Sequence, residues 1–232
     1  MSVRYRIENP VAFGAQARVF RALDSITGKP CLLKMGPAVR EEALLAMSLN
    51  HPFISKPYDV GSDPETGTFA AYIETGYEPL LQWRSKNNIE DLRTVCLRIA
   101  EFLSFLHHKG WLYNDFKADH FLVGEDDLKV LDLGLCTPLN GSCGSRMSTF
   151  SGTFPYISPE RLTGRPVDQR SDIFALGMML LHLFFPEEDW TSEPSFDALR
   201  ALQLRAKEVK GFWKDILLEM TAIEPSQRIS SG

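Results

Sequence analysis

The sequence predicts an α+β chain in two parts: a small antiparallel β lobe with one helix, then a larger, mainly helical lobe. Short apolar alternations separated by turn residues fill the first third, and long segments with helical spacing fill the rest. The character changes near Pro79, which puts the parts at residues 1–78 and 79–232. A chain of 232 residues is long enough to bury a sizeable core in one large domain or two joined lobes.

In the first part, "RYRIENPVAF" and "ARVFRALD" read as strands, and "SITGKP" turns the second into "CLLKMG". "REEALLAMSL" then has helical spacing, with Ala43, Leu44, Met47 and Leu49 expected on the buried face, and "NHP" ends it. Strands are expected again around Tyr58 to Gly61 and Phe69 to Thr75, turned by "DPETGT". In the second part, "IEDLRTVCLRIAEFLSFLHHKG" predicts a long amphipathic helix. Leu92, Cys96, Ile99, Phe102, Leu103 and Leu106 share its face, and Gly110 stops it. "LYNDFKADHFLV" follows as a loop, "LKVLDLGL" as a short buried strand running into a turn, and "LNGSCGSRMSTFSG" as a mobile loop. Helices are then expected over Asp172 to Phe185, Phe196 to Lys207 and Phe212 to Ala222.

The composition narrows the function. A net charge of −5 with no Lys/Arg run speaks against a nucleic-acid partner. The longest apolar stretch, Ile173 to Phe185, is too short to span a bilayer, so no membrane insertion is expected. Cys31, Cys96, Cys136 and Cys143 are scattered without a CxxC pair, which favours reduced thiols over a disulfide framework or zinc site. A cytoplasmic location follows as the expectation.

Single residues such as Lys34 or Asp132 say little alone. Their joint order says more: "FGAQARV", Lys34, Glu42 ahead of "HPFI", "NDFKADH", "DLG", "GTFPYISPE", and "SDIFALG" with a late "PSQRIS". Over nearly its whole length the chain resembles a eukaryotic-type serine/threonine protein kinase. The resemblance implies the two-lobed protein kinase fold and transfer of the ATP γ-phosphate to Ser/Thr hydroxyls of a protein substrate, with Mg²⁺, or Mn²⁺, as the metal.

Such chemistry is mostly positioning and neutralisation of charge on phosphate oxygens. By the resemblance, Lys34 would hold the α- and β-phosphates and pair with Glu42; Glu41 is the register-shifted alternative. Asp132 would chelate the metal, a hard cation preferring carboxylate oxygen. Asp115 would accept the hydroxyl proton, Lys117 would neutralise the transferring group, and Thr153 would touch both. Gly14, Val19 and Glu74 complete the ATP-binding set. Glu160 and Arg228 match a buried ion pair of the family, and Asp172 a helix aspartate that bonds the catalytic-loop backbone.

The departures from the family pattern matter as much. Ala12 and Ala17 stand where the phosphate loop usually has glycine, so ATP binding is expected to be weaker. Asn114 replaces an arginine, which removes a cation that an activating phosphate would balance; activity is expected without that phosphorylation. Tyr113 for histidine is benign. His120 replaces the asparagine that serves a second metal, and imidazole nitrogen suits magnesium poorly. Three readings stay open: His120 binds a softer ion such as manganese; one metal is used, with Asp119 or Asp132 completing its shell; or the chain is a pseudokinase acting as scaffold. Small-molecule kinases of the aminoglycoside or choline type are a further alternative, but they lack a segment like "GTFPYISPE". Only seven residues separate Lys34 from Glu42, fewer than the family usually shows, so the helix bearing Glu42 must be trimmed. The chain stops soon after Arg228, and further domains of the same polypeptide are expected.

Overall fold

The computed structural model describes residues 4–13, 17–63, 67–74, 76–125, 127–139, 153–186, 190 and 195–230. Contacts group the chain into two units, Met1–Tyr77 with Lys129–Gly134, and Glu78–Leu128 with Leu135–Gly232. Most of "LNGSCGSRMSTFSG" lies outside the described residues, as do Gly14 and Cys143.

The first unit is a five-stranded antiparallel sheet of order β1-β2-β3-β5-β4, built from β1 (Tyr5–Phe13), β2 (Arg18–Asp24), β3 (Lys29–Met35), β4 (Asp59–Asp63) and β5 (Gly67–Ile73). Alternation along β3 splits its side chains between the two faces. Cys31 and Leu33 join Tyr5, Ala22 and Ala71 in one cluster. On the other face Ala70 packs against Val39 and Ala43 of helix α1 (Val39–Ser48), flanked by Ala17, Val60 and Tyr72.

Here one expectation is corrected. Leu49 is buried, but Leu44 and Met47 are 55% and 54% exposed, and the inward face of α1 is Val39, Glu42, Ala43 and Ala46. Small side chains let the helix lie close on the sheet; its larger apolar residues are left outside.

The second unit begins with β6 (Glu78–Pro79), α2 (Leu80–Lys86) and the long helix α3 (Ile89–His108). An Asn88–Asp91 capping box starts α3, worth about 1 kcal/mol for the cap side chain. Leu92, Cys96, Ile99, Phe102, Leu103 and Leu106 are all buried, as the spacing predicts; the large ones contribute roughly 1.5–3 kcal/mol each. Gly110 follows at φ +77°, a conformation that disfavours any side chain. Then come β7 (Trp111–Leu112), β8 (Phe121–Val123), which pairs with β6, β9 (Leu128–Val130), which enters the first unit, and β10 (Thr137–Pro138), which pairs with β7.

The later helices are α4 (Pro159–Leu162), α5 (Gln169–Phe184), α6 (Phe196–Leu204) and α7 (Phe212–Met220). Apolar nearly all round, α5 is buried from Ile173 to Leu181. It meets α7 so closely that a Cβ at Gly177 would lie 2.8 Å from Met220 Cβ and Thr221 Cγ2. Among the described residues no helix is long and apolar enough to cross a membrane.

Candidate active site

Each unit carries a set of the expected residues. In the first, Lys34 sits on β3 between Val19 and Ala70 of the neighbouring strands. It shares the face that carries α1, and its ammonium reaches both Glu42 oxygens at 2.7 Å. Asp132 comes to the same ammonium from far along the chain, with Oδ2 at 3.0 Å. Its segment is tied to the unit by Val130 N–H donating to the Phe53 carbonyl at 2.7 Å and Ser55 N–H to the Val130 carbonyl at 3.1 Å. The Gly134 amide donates to Asp132 Oδ1 at 2.8 Å and the Leu133 amide to Glu42 Oε1 at 3.3 Å.

One ammonium therefore serves two carboxylates in a mostly buried place; the Lys34 and Glu42 side chains are 8% and 6% exposed. Burial, then the Asp132 charge, lifts the Glu42 carboxyl to about 7, while Lys34 and the Leu133 amide hold it back. Burial would lower the Lys34 ammonium, but its two carboxylates outweigh that and raise it. Glu42 is thus the paired glutamate, and Glu41 is exposed. The trimmed helix is joined to β3 through Gly36–Ala38 alone, and Val39 N–H bonds back to the Gly36 carbonyl at 3.3 Å.

Val19 is half-buried beside Lys34 in the ladder. Glu74, past the end of β5, has its carboxylate on the Arg21 guanidinium at 2.6 Å. Asp132 is 32% exposed and offers carboxylate oxygens, the donor type a magnesium ion takes.

In the second unit the loop after β7 carries Asp115. Asp172, on α5, accepts from the Tyr113 and Asn114 amides at 2.7 and 2.8 Å and fixes the loop from the inside. His107 Nε2 lies 2.9 Å from the same carboxylate, a contact hidden in sequence because His107 sits at the end of an apolar helix face. Thr153 Oγ1 donates to Asp115 Oδ1 at 2.9 Å. Lys117 Nζ and His120 Nε2 lie 3.9 and 3.7 Å from Asp115 Oδ2. Asn114 takes φ +69° and donates to the Leu135 carbonyl at 2.7 Å and Thr137 Oγ1 at 2.9 Å. Its oxygen accepts from the guanidinium of Arg161 on α4. Nothing in the local pattern of "SPERL" signalled that partner.

Glu160 accepts both Arg228 nitrogens at 2.7 and 2.8 Å, and Ser171 Oγ at 2.6 Å. This ties the stretch behind Thr153 to α5. Phe154–Pro155 is a cis peptide bond.

A lysine–glutamate–aspartate cluster on a β sheet, and an Asp-x-Lys loop anchored by an α5 aspartate, are the charged parts of one known fold. The family model for the protein kinase domain matches residues 7–231. The chain belongs to the protein kinase family.

Among curated relatives, this kinase domain is 27% identical to a protein named a probable serine/threonine-protein kinase of Clostridium acetobutylicum, over 93% of the chain and 35% of that protein. It is 27% identical to the serine/threonine-protein kinase PrkC of Bacillus subtilis, over 100% and 39%. It is also 25% identical to the serine/threonine-protein kinase PAK mbt of Drosophila melanogaster, over 97% and 38%. The chain spans between 35% and 39% of the length of these relatives.

Proposed function

We propose that the kinase domain is an active serine/threonine kinase that transfers the ATP γ-phosphate to Ser/Thr hydroxyls of a protein. The observation that carries this is the state of Asp115. Its backbone approach is anchored through the Tyr113 and Asn114 amides, Thr153 donates to Oδ1, and Lys117 stands 3.9 Å from Oδ2. This arrangement supports transfer over nucleotide binding alone. The Lys34–Glu42–Asp132 cluster supports nucleotide binding.

In the reaction the substrate hydroxyl oxygen attacks the γ-phosphorus. The new O–P bond forms as the bond to the β,γ-bridging oxygen breaks, and ADP leaves with that electron pair. Asp115 orients the hydroxyl and takes its proton, and Lys117 neutralises charge on the transferring group. Lys34 holds the α- and β-phosphates, with Glu42 keeping its ammonium in place. Asp132 would hold a divalent cation, which would supply charge neutralisation for the phosphates. Asp132 suits magnesium; His120 offers nitrogen and suits it poorly. One metal site through Asp132 is the reading we adopt. The share of each relative's length that the chain spans supports further domains on the same polypeptide.

His120 at the asparagine position favours the second reading, a pseudokinase that binds nucleotide or a partner. Incubation with labelled ATP and a generic basic protein, in magnesium and in manganese, separates the two. Transfer that Asp115→Asn abolishes, with ATP binding retained, is expected. Intact ATP binding without transfer in either metal would replace the enzyme with the scaffold.

A further inference from the structure

His120 lies at the end of a 3₁₀ turn (Ala118–His120) and is 5% exposed, so whatever its ring does, it does within the loop. Nδ1 lies 3.0 Å from the Asp115 carbonyl oxygen and 3.3 Å from the Tyr113 hydroxyl. A carbonyl oxygen only accepts, so the nitrogen bonded to it carries the proton. Nε2 lies 3.7 Å from Asp115 Oδ2. The ring therefore spans residue 115 from its main-chain carbonyl to its carboxylate. Tyr113 meets the ring nearly at right angles with centroids 6.4 Å apart, and Tyr113 packs on Phe116 at 4.6 Å and Phe102 at 5.5 Å.

We propose that His120 is a positioning residue for Asp115 rather than a metal ligand. The proposal rests on reading this chain as a phosphotransferase, and it assigns the loop a division of labour. Asp172 holds the peptide groups entering Asp115 through the Tyr113 and Asn114 amides, at 2.7 and 2.8 Å. His120 holds the peptide group leaving it, through the Asp115 carbonyl. Thr153 fixes carboxylate Oδ1 from the far side. Remove the imidazole, and the carbonyl of a mostly buried loop loses its donor, leaving Asp115 to the anchors at Asp172 and Thr153. Displacements of about 1 Å at a reacting group cost on the order of 100-fold in rate. Tyr113 and His120 act together here, since the hydroxyl that meets Nδ1 comes from the residue two places before Asp115.

The test uses the whole 232-residue chain, with His120→Leu, which removes the donor, and His120→Asn, which restores one. Manganese binding in the presence of ATP, followed by the electron paramagnetic resonance of the free ion, should be the same within about twofold in wild type and His120→Leu. A loss of about tenfold or more, the size already seen when only a ligand's supporting partner is removed, would overturn the proposal. In steady state, His120→Leu should lower kcat by roughly 10–100-fold with KM for ATP unchanged. His120→Asn should recover most of that; a His120→Leu enzyme that instead switches metal preference counts against us. Ring ¹⁵N spectra of histidine-labelled protein should show His120 protonated at Nδ1, and protonation at Nε2 alone would refute the geometry. If His120→Leu does not fold, His120→Phe, which keeps a ring but has no donor and no ligand atom, carries the kinetic and metal comparisons. If wild type transfers no phosphate, the kinase reading fails by itself, and the ring spectra and manganese binding still decide the role of His120.

Discussion

Arg228→Met removes the cation from a carboxylate that the fold keeps dry. The Arg228 and Glu160 side chains are 0% and 3% exposed, so water cannot screen the change. The guanidinium gives Nη1 and Nη2 to Glu160, and it also serves the carbonyls of Arg170, Ala222 and Ile223. Burial by itself would raise the Glu160 carboxyl, but Arg228 and Ser171 hold it below its ordinary 4.5. In the variant the carboxylate has no cation, and the cheapest way out is to take a proton. At 1.36 kcal/mol per pH unit above that ordinary value, protonation costs about 3.4 kcal/mol at pH 7 and about 0.7 at pH 5. The orphaned carbonyls add on the order of 1 kcal/mol each where water does not replace the donor. The expected loss is about 4–6 kcal/mol at pH 7, in line with other broken buried pairs, and about 2–3 kcal/mol less at pH 5.

The sign follows from the direction of the shift. A depressed carboxyl contributes stability that is full above pH 4.5 and is lost as pH falls through its folded value, so wild type weakens in acid where the variant gains. Urea unfolding followed by tryptophan fluorescence at pH 7 and pH 5 measures both gaps. Glu160→Gln combined with Arg228→Met should lose less and show no such pH dependence. A gap below about 1 kcal/mol at pH 7, the range of exposed pairs, or an equal gap at both pH values, would refute this reasoning.

Gly177→Ala places a methyl 2.8 Å from Met220 and Thr221 and should cost about 1–3 kcal/mol; an unchanged Tm would mean the helices have room. Lys34→Met should weaken ATP binding at least about tenfold by calorimetry, since it strips the cation proposed to face the phosphates; unaltered affinity would remove Lys34 from the site. His182 is held below its ordinary 6.5 by burial, against the Asp119 charge, and it meets the Tyr156 hydroxyl. The neutral ring is the folded form, so stability is full above pH 6.5 and falls as pH drops below it; His182→Phe should flatten unfolding midpoints between pH 5 and 6.5. Phosphatase-treated protein, its state checked by mass spectrometry, should keep its activity, because Asn114 is satisfied by Arg161, Leu135 and Thr137 without a phosphate. Activity abolished by the treatment would reverse that expectation.

Sequence by itself determined what depends on local order and spacing. Alternation and turn residues set the first-unit strands, and a 3.6-residue period set α3 with the face it buries. The ordered motifs set the family and named Lys34, Asp115, Lys117, Thr153, Asp132 and the Glu160–Arg228 pair. Tertiary structure decided what depends on how elements approach each other. Periodicity favoured the bulky residues of α1 as its inner face, yet a helix lying close on a sheet can bury only small ones, so Leu44 and Met47 face outward. The same contact chose Glu42 over Glu41. Lys129–Gly134 returns to the first unit through backbone hydrogen bonds, which no side-chain pattern announces, and so brings Asp132 to Lys34. The partner of Asn114 comes from Arg161, 47 residues away. The ring of His120 places Nδ1 3.0 Å from the Asp115 carbonyl and stands nearly at right angles to Tyr113. Spacing along the chain shows that a histidine has replaced an asparagine; only packing shows which atoms the histidine holds.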